Sequence, residues 1–185
     1  MRAESGQPQD RAGSRLFELQ ADIDARVQHI RSDRPEWPCT RGCGDCCRHL
    51  AAVPRLTRAE WELLCEGLAA LPAQRLQQIE RDLAALATQP PGPVVCPLLD
   101  QASSACPVYL QRPVACRTYG FYVQRGDGLY CRDIETRVEA GKLADVVWGN
   151  HDAIDHRLVA LGETRSLNEW FADRDRPPPG TGTHG

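Results

Sequence analysis

The chain has 185 residues, a length that suits one domain with tails, and its 42% hydrophobic and 25% charged content is ordinary for a globular protein. A net charge of −3, with Lys142 the single lysine, argues against bulk attraction to nucleic acid or an anionic membrane. Aromatic residues make up only 6%, which argues against a base-stacking platform.

In chain order, residues 1–13 are polar with Gly and Pro and read as a loose tail. The stretch MRAESGQPQDRAGSR, residues 1–15, holds no apolar segment of the kind a secretion signal needs, and no apolar run is long enough for a bilayer. The expected compartment is therefore the cytoplasm, where thiols stay reduced. A single domain is expected over 14–173, with a Pro/Gly/Thr tail containing His184 over 174–185.

The first helix is expected from Ser14 to Pro35. Leu16, Leu19, Ile23, Val27 and Ile30 recur at three- and four-residue steps as one apolar stripe, and His29 lies beside it as a surface residue. RPEWPCTRGCGDCCRHL then reads as a loop with a helical turn at its end, followed by a short extended LAAVPRL. Thr57 and Glu60 have capping-box spacing, so a helix starts there, with Trp61, Leu64, Cys65 and Leu68 facing inward. On that face Cys65 reads as a small core residue. Another helix is expected over Ala73–Ala87, ended by QPPGP.

Beyond it, VVCPLL and ACPVYL read as extended arms around a turn at 100–104, because Cys96 and Cys106 each precede proline. TYGFYV and LYCRD, joined by QRGDG, read as a hairpin. Residues from Glu135 to Phe171 read as helical, with Leu143, Val146, Val147, Ile154, Leu158 and Leu161 as apolar faces and a last capping box at Ser166 and Glu169. His151 and His156 are five apart and share no helix face, so they read as exposed. The predicted fold is mainly α, with an irregular cysteine-rich centre and short β-hairpins: one small metal-binding domain.

The chemistry lies in nine cysteines. A disulfide framework fits poorly with the odd count, the missing signal and a chain long enough to build a core. Cys39, Cys43, Cys46 and Cys47 form C-x3-C-x2-C-C, and short loops bring thiols together at little entropic cost. Thiolate-only sets select zinc, copper(I) or iron–sulfur clusters. Cys39, Cys43 and Cys46 also have the spacing of radical S-adenosylmethionine enzymes. Those carry an aromatic before the last cysteine, where this chain has Asp45, and they need a barrel that this chain is too short to build.

CTRGCGDCC followed by CPLLDQASSACPVYLQRPVACRTYGF resembles the YkgJ-like (CxxCxxCC) cysteine-cluster family of zinc- or iron-chelating domains. The resemblance spans residues 37–121. Cys39, Cys43, Cys46 and Cys47 match its first cluster, and Cys96, Cys106 and Cys116 match its second. Tyr109, Arg112, Pro113 and Arg117 stand at its framing positions, with Pro107 where a small polar residue is commoner. It implies chelation of zinc or iron by those seven cysteines, with an iron–sulfur cluster as one form of the iron, and names no reaction. Flagellin lysine methylases share a similar cluster, which resembles an iron–sulfur element there. No segment here is similar to their additional domain, so methyl transfer does not carry over.

Seven cysteines exceed one tetrahedral site. Either four bind and the rest are buried or redox-active, or two sites exist and Cys131 supplies an eighth thiolate. Adjacent Cys46 and Cys47 are expected to diverge, so one is spare or each serves a different metal. Arg41, Arg48, Arg112, Arg117 and Arg132 lie near cysteines and are candidates to offset thiolate charge. The reading is a metal-binding protein, with a redox or methyltransferase-like accessory, or a metal carrier with a protein partner, as the alternatives. Paired carboxylates, a nucleotide-binding glycine loop and an evident base are all missing, so no reaction is assigned.

Overall fold

A computed structural model describes residues 8–90 and 92–174. Helix α1 (Pro8–Asp33) lies along one side and buries Leu16, Leu19, Ile23, Val27 and Ile30, the stripe its periodicity lays out. It starts earlier than Ser14. Proline suits a first helical turn, and Ala12 packs partly against the core, so residues 8–13 are helix rather than loose tail. A one-turn helix α2 (Asp45–Arg48) follows the cysteine loop, and β1 (Arg55–Thr57) leads into α3 (Arg58–Ala69).

The Thr57 capping box forms in full. Glu60 Oε2 accepts from the Thr57 N–H and hydroxyl, both at 2.8 Å, while the Glu60 N–H donates to Thr57 Oγ1 at 3.4 Å. Helix α4 (Ala73–Ala87) has the expected bounds. Residues 94–108 do not form paired arms. The prolines after Cys96 and Cys106 withhold ladder donors, leaving single antiparallel bridges at Leu50–Val94 and Asp100–Ala105. A 3-10 turn (Tyr109–Gln111) and α5 (Val114–Thr118) follow.

The hairpin is present as β2 (Tyr122–Gln124) and β3 (Asp127–Leu129), with Tyr122 opposite Leu129. Helix α6 (Arg132–Glu139) leaves it. The stretch from Glu135 to Phe171 is not continuously helical. The Asn150 side chain accepts from the Asp152 N–H and starts a new helix inside it. That stretch contains β4 (Gly149–Asn150), α7 (His151–Val159), β5 (Thr164–Ser166) and α8 (Leu167–Ala172), the last opened by the Ser166–Glu169 box. β4 adds parallel to β2, and β5 pairs antiparallel with β1. Val147 is exposed, whereas Leu143, Ile154 and Leu161 are buried. His156 is exposed as expected. His151 is not: α7 turns it under Tyr122, edge-on at 6.4 Å between ring centroids, and it is buried. His184 and residues 175–185 lie outside the described residues.

Two apolar clusters result. The first joins α1, Trp37, Phe121, Ile134 and the 143–161 region, and the second joins α3, α4, Leu98, Val108 and α8. The cysteines lie between and against them.

Candidate metal centre

Cys39 is held from three sides. Arg31 Nη2 donates to the Cys39 carbonyl at 2.8 Å, and the Cys39 thiol faces the Tyr119 carbonyl at 3.8 Å. Gly120 abuts it: a Cβ there would lie 2.9 Å from Cys39 Sγ, and φ of +88° is itself unfavourable for other residues. Cys43 is exposed, on the loop between Gly42 and Gly44. Arg48 spans this loop, donating to the Cys43 carbonyl at 3.5 Å and to Ser104 Oγ at 2.5 Å.

Cys46 and Cys47 share α2, and their sulfurs are 4.0 Å apart. The expected divergence is not met: both thiols are half-buried and both line the same cavity. The second cysteine segment is fastened to this helix. The Cys96 N–H donates to the Cys47 carbonyl at 2.7 Å, and Leu50 and Val94 exchange backbone bonds of 3.1 and 2.8 Å. Arg75 Nη2 clamps the carbonyls of Leu98 and Leu99 at 3.2 and 2.9 Å. Asp100 then folds the turn, accepting from the Ala102 N–H and the Ser103 hydroxyl, which delivers Cys106.

Cys116 rides on α5. That helix is anchored by Glu60, whose Oε1 accepts the Val114 N–H at 2.8 Å. Cys131 occupies the N-cap position of α6, close behind the hairpin. Cys39, Cys43, Cys46, Cys47, Cys96, Cys106, Cys116 and Cys131 all line one cavity of about 90 Å³. Cys65 does not; it is half-buried against the second apolar cluster. All nine cysteines are free thiols.

Burial, followed by Cys46 and Cys43, pushes the Cys39 thiol up to about 12. Its hydrogen bond to Cys47, with burial and the fields of Cys47 and Asp45, pushes Cys46 up strongly. For Cys47 the bond with Cys46 pulls down, but the bond to Cys96, burial and the fields of Cys96 and Cys106 outweigh it, to about 12. Burial, then Cys47, Cys46 and Cys106, raises Cys116. Burial, then Cys131, Cys46 and Cys39, raises Tyr119 to about 12. A lone thiolate is thus disfavoured at Cys39, Cys46, Cys47 and Cys116, and a cation beside them would invert that logic by favouring several at once.

The arginines are only partly those expected. Arg112 lines the cavity, stacked 3.7 Å from the Tyr109 ring centroid, and Arg41 lies over the same ring at 5.3 Å. Arg117 turns away: it pairs with Asp24 at 2.8 Å and holds the Leu110 and Arg112 carbonyls. It braces α5 against α1. Arg132 is exposed. Arg31 was missed by its distance from the motif, although it stands in the last turns of α1, the helix leading to Cys39. The Nε atoms of Arg31 and Arg112 are buried without a partner, donors suited to an anionic thiolate centre.

The donor chemistry fits a soft metal, but the set is gathered rather than closed. Among the described residues, no three Cys, His, Asp or Glu side chains already stand where they hold a metal ion.

Residues 38–144 match the CxxCxxCC family, whose description reads "Putative zinc- or iron-chelating domain". No curated protein and no solved structure matches the chain. The family match covers more than half of the 185 residues, so this chain belongs to the CxxCxxCC family.

Proposed function

We propose that the protein binds zinc or iron through the thiols lining this cavity. One observation carries the reading: two cysteine segments far apart in sequence open on one cavity, joined by the bond from the Cys96 N–H to Cys47. When bound, a zinc ion or iron–sulfur cluster supplies positive charge that gathers several thiolates. The chain's part is to aim the thiols, exclude water and place arginine charge beside them. Arg31 and Arg112 do the last, and Trp37, Phe121 and Trp148 cover the Cys39 side, with centroid separations of 5.7 Å and 5.5 Å from Trp37. Nine free thiols suit a reducing compartment, the cytoplasm. No helix among the described residues is long and apolar enough to cross a membrane.

A second reading, a metal carrier, is favoured by Cys43. Its exposed thiol at the cavity mouth is the one an incoming protein ligand reaches first.

Purification without oxygen, an absorption spectrum, and assays for zinc, iron and acid-labile sulfide test the proposal. Colourless protein with stoichiometric zinc, or brown protein with iron and sulfide, supports it and names the metal. Protein carrying neither overturns it.

A further inference from the structure

Arg48 reaches from α2 to two loops at once. Its Nη2 donates to Ser104 Oγ at 2.5 Å, and its Nη1 donates to the Cys43 carbonyl at 3.5 Å, the weaker bond of the two. One guanidinium thus ties the loop of the first cysteine cluster to the turn that delivers Cys106. The two loops also touch directly. A Cβ on Gly44 would lie 2.7 Å from both Arg48 Nη1 and the Ser104 carbonyl oxygen, so this end of the loop is fastened. Ser104 itself holds φ at +56°, a strained value for a residue with a side chain. Such strain persists only where the surroundings fix it.

The other end of the loop is open. Gly42 has φ of +89°, and a Cβ there would meet nothing within 4 Å. Arg41, Gly42 and Cys43 are exposed, and a bond from the Cys43 N–H to the Thr40 carbonyl at 3.2 Å turns the chain between them. Cys43 is the one exposed thiol of the nine. The loop therefore has a hinge at Gly42, a fastening at Gly44, and a thiol between them. Thr40, Gly42, Cys43, Gly44 and Ser104 all line the cavity, so the loop is part of its wall.

We infer that residues 41–44 are the gate of the metal site and that the bond from Arg48 to Ser104 is its latch. With the latch made, the loop stays against the 100–105 turn. With it broken, the loop swings on Gly42 and opens the cavity wall beside Cys43. Arg48 acts through the loop and is a positioning residue. This rests on the metal-binding reading above and adds the route by which the ion enters and leaves.

Zinc uptake by metal-free full-length protein, and zinc release from loaded protein to EDTA, are followed by stopped flow without oxygen. Ser104→Ala removes only the latch hydroxyl, and Arg48→Ala removes the whole latch. Each should speed uptake and release alike, by about tenfold, with affinity changed by less than about threefold. Uptake no faster than in the unaltered chain, in either variant, overturns the inference and leaves the metal-binding reading intact. So does a loss of affinity carried by release alone, which is the mark of a simple brace. An unaltered chain that binds no zinc overturns both. One check needs no variant to fold. Uptake by the unaltered chain should level off as zinc concentration rises, because gate opening becomes limiting. A rate that stays proportional to zinc contradicts the inference.

Discussion

The backbone N–H of Cys96 donates to the carbonyl of Cys47 at 2.7 Å, so one hydrogen bond ties the second cysteine segment to the helix carrying the adjacent pair. The Leu50–Val94 bridge lies just beyond it on both strands. Together they set which thiols face each other. Val94→Pro removes the donor to Leu50 and is expected to lower stability by about 1–2 kcal/mol. Metal affinity should fall with it. Chemical denaturation with a metal-competition titration checks both, and unchanged affinity speaks against this bridge as the register of the site.

Gly120 is a second positioning element. Gly120→Ala places a methyl carbon against Cys39 Sγ at a left-handed backbone position. The backbone penalty alone is about 1–2 kcal/mol. The expected result is a lower melting temperature together with weaker metal retention. Gly92→Ala, where an added Cβ meets nothing within 4 Å, serves as the control and should change neither.

Glu60 joins a helix start to a metal-site helix. Its carboxylate takes the Thr57 N–H and hydroxyl on one oxygen and the Val114 N–H on the other. Glu60→Ala leaves two buried N–H donors unpaired, at about 1–3 kcal/mol each. Metal affinity should drop as well, because α5 carries Cys116. Glu62→Ala removes only an exposed pair with Arg58 and should cost about 0.5 kcal/mol or less.

The thiols also make a pH prediction for the metal-free chain. Cys39 and Cys47 are raised from 9.0 to about 12 in the folded protein. Above pH 9 the unfolded chain loses these protons first, so it binds fewer than the folded one and stability falls as pH rises. The stabilising contribution is complete below pH 9 and gone once pH passes about 12. Metal-loaded protein, whose thiolates are already formed, should resist this alkaline loss. Melting temperatures of both forms across that range check the sign, and parallel loss in both contradicts it.

Local signals reached the structure well. The boxes at Thr57 and Ser166 open α3 and α8, and the stripe from Leu16 to Ile30 is the buried face of α1. QRGDG turns as expected because Arg125 and Gly126 take the positive φ a tight hairpin needs. Long-range pairing was not legible. β1 meets β5 across most of the chain, and β4 joins β2 in parallel, neither of which a periodicity reveals. His151 carries no local sign that Tyr122 covers it. The seven motif cysteines and Cys131 do converge on one cavity, yet Arg31 and Gly120 reach it only through tertiary contact. Arg117, by contrast, belongs to the motif and serves the α1–α5 joint instead.

The central claim is that the cavity cysteines, and not cysteine in general, hold the metal. Zinc and iron per chain should be measured side by side for the unaltered protein, Cys116→Ser and Cys65→Ser, all purified without oxygen. Cys116 lines the cavity and Cys65 does not. The account predicts metal in the unaltered chain, full retention in Cys65→Ser and a clear loss in Cys116→Ser. Equal metal content in the two variants, or none in the unaltered chain, would contradict it.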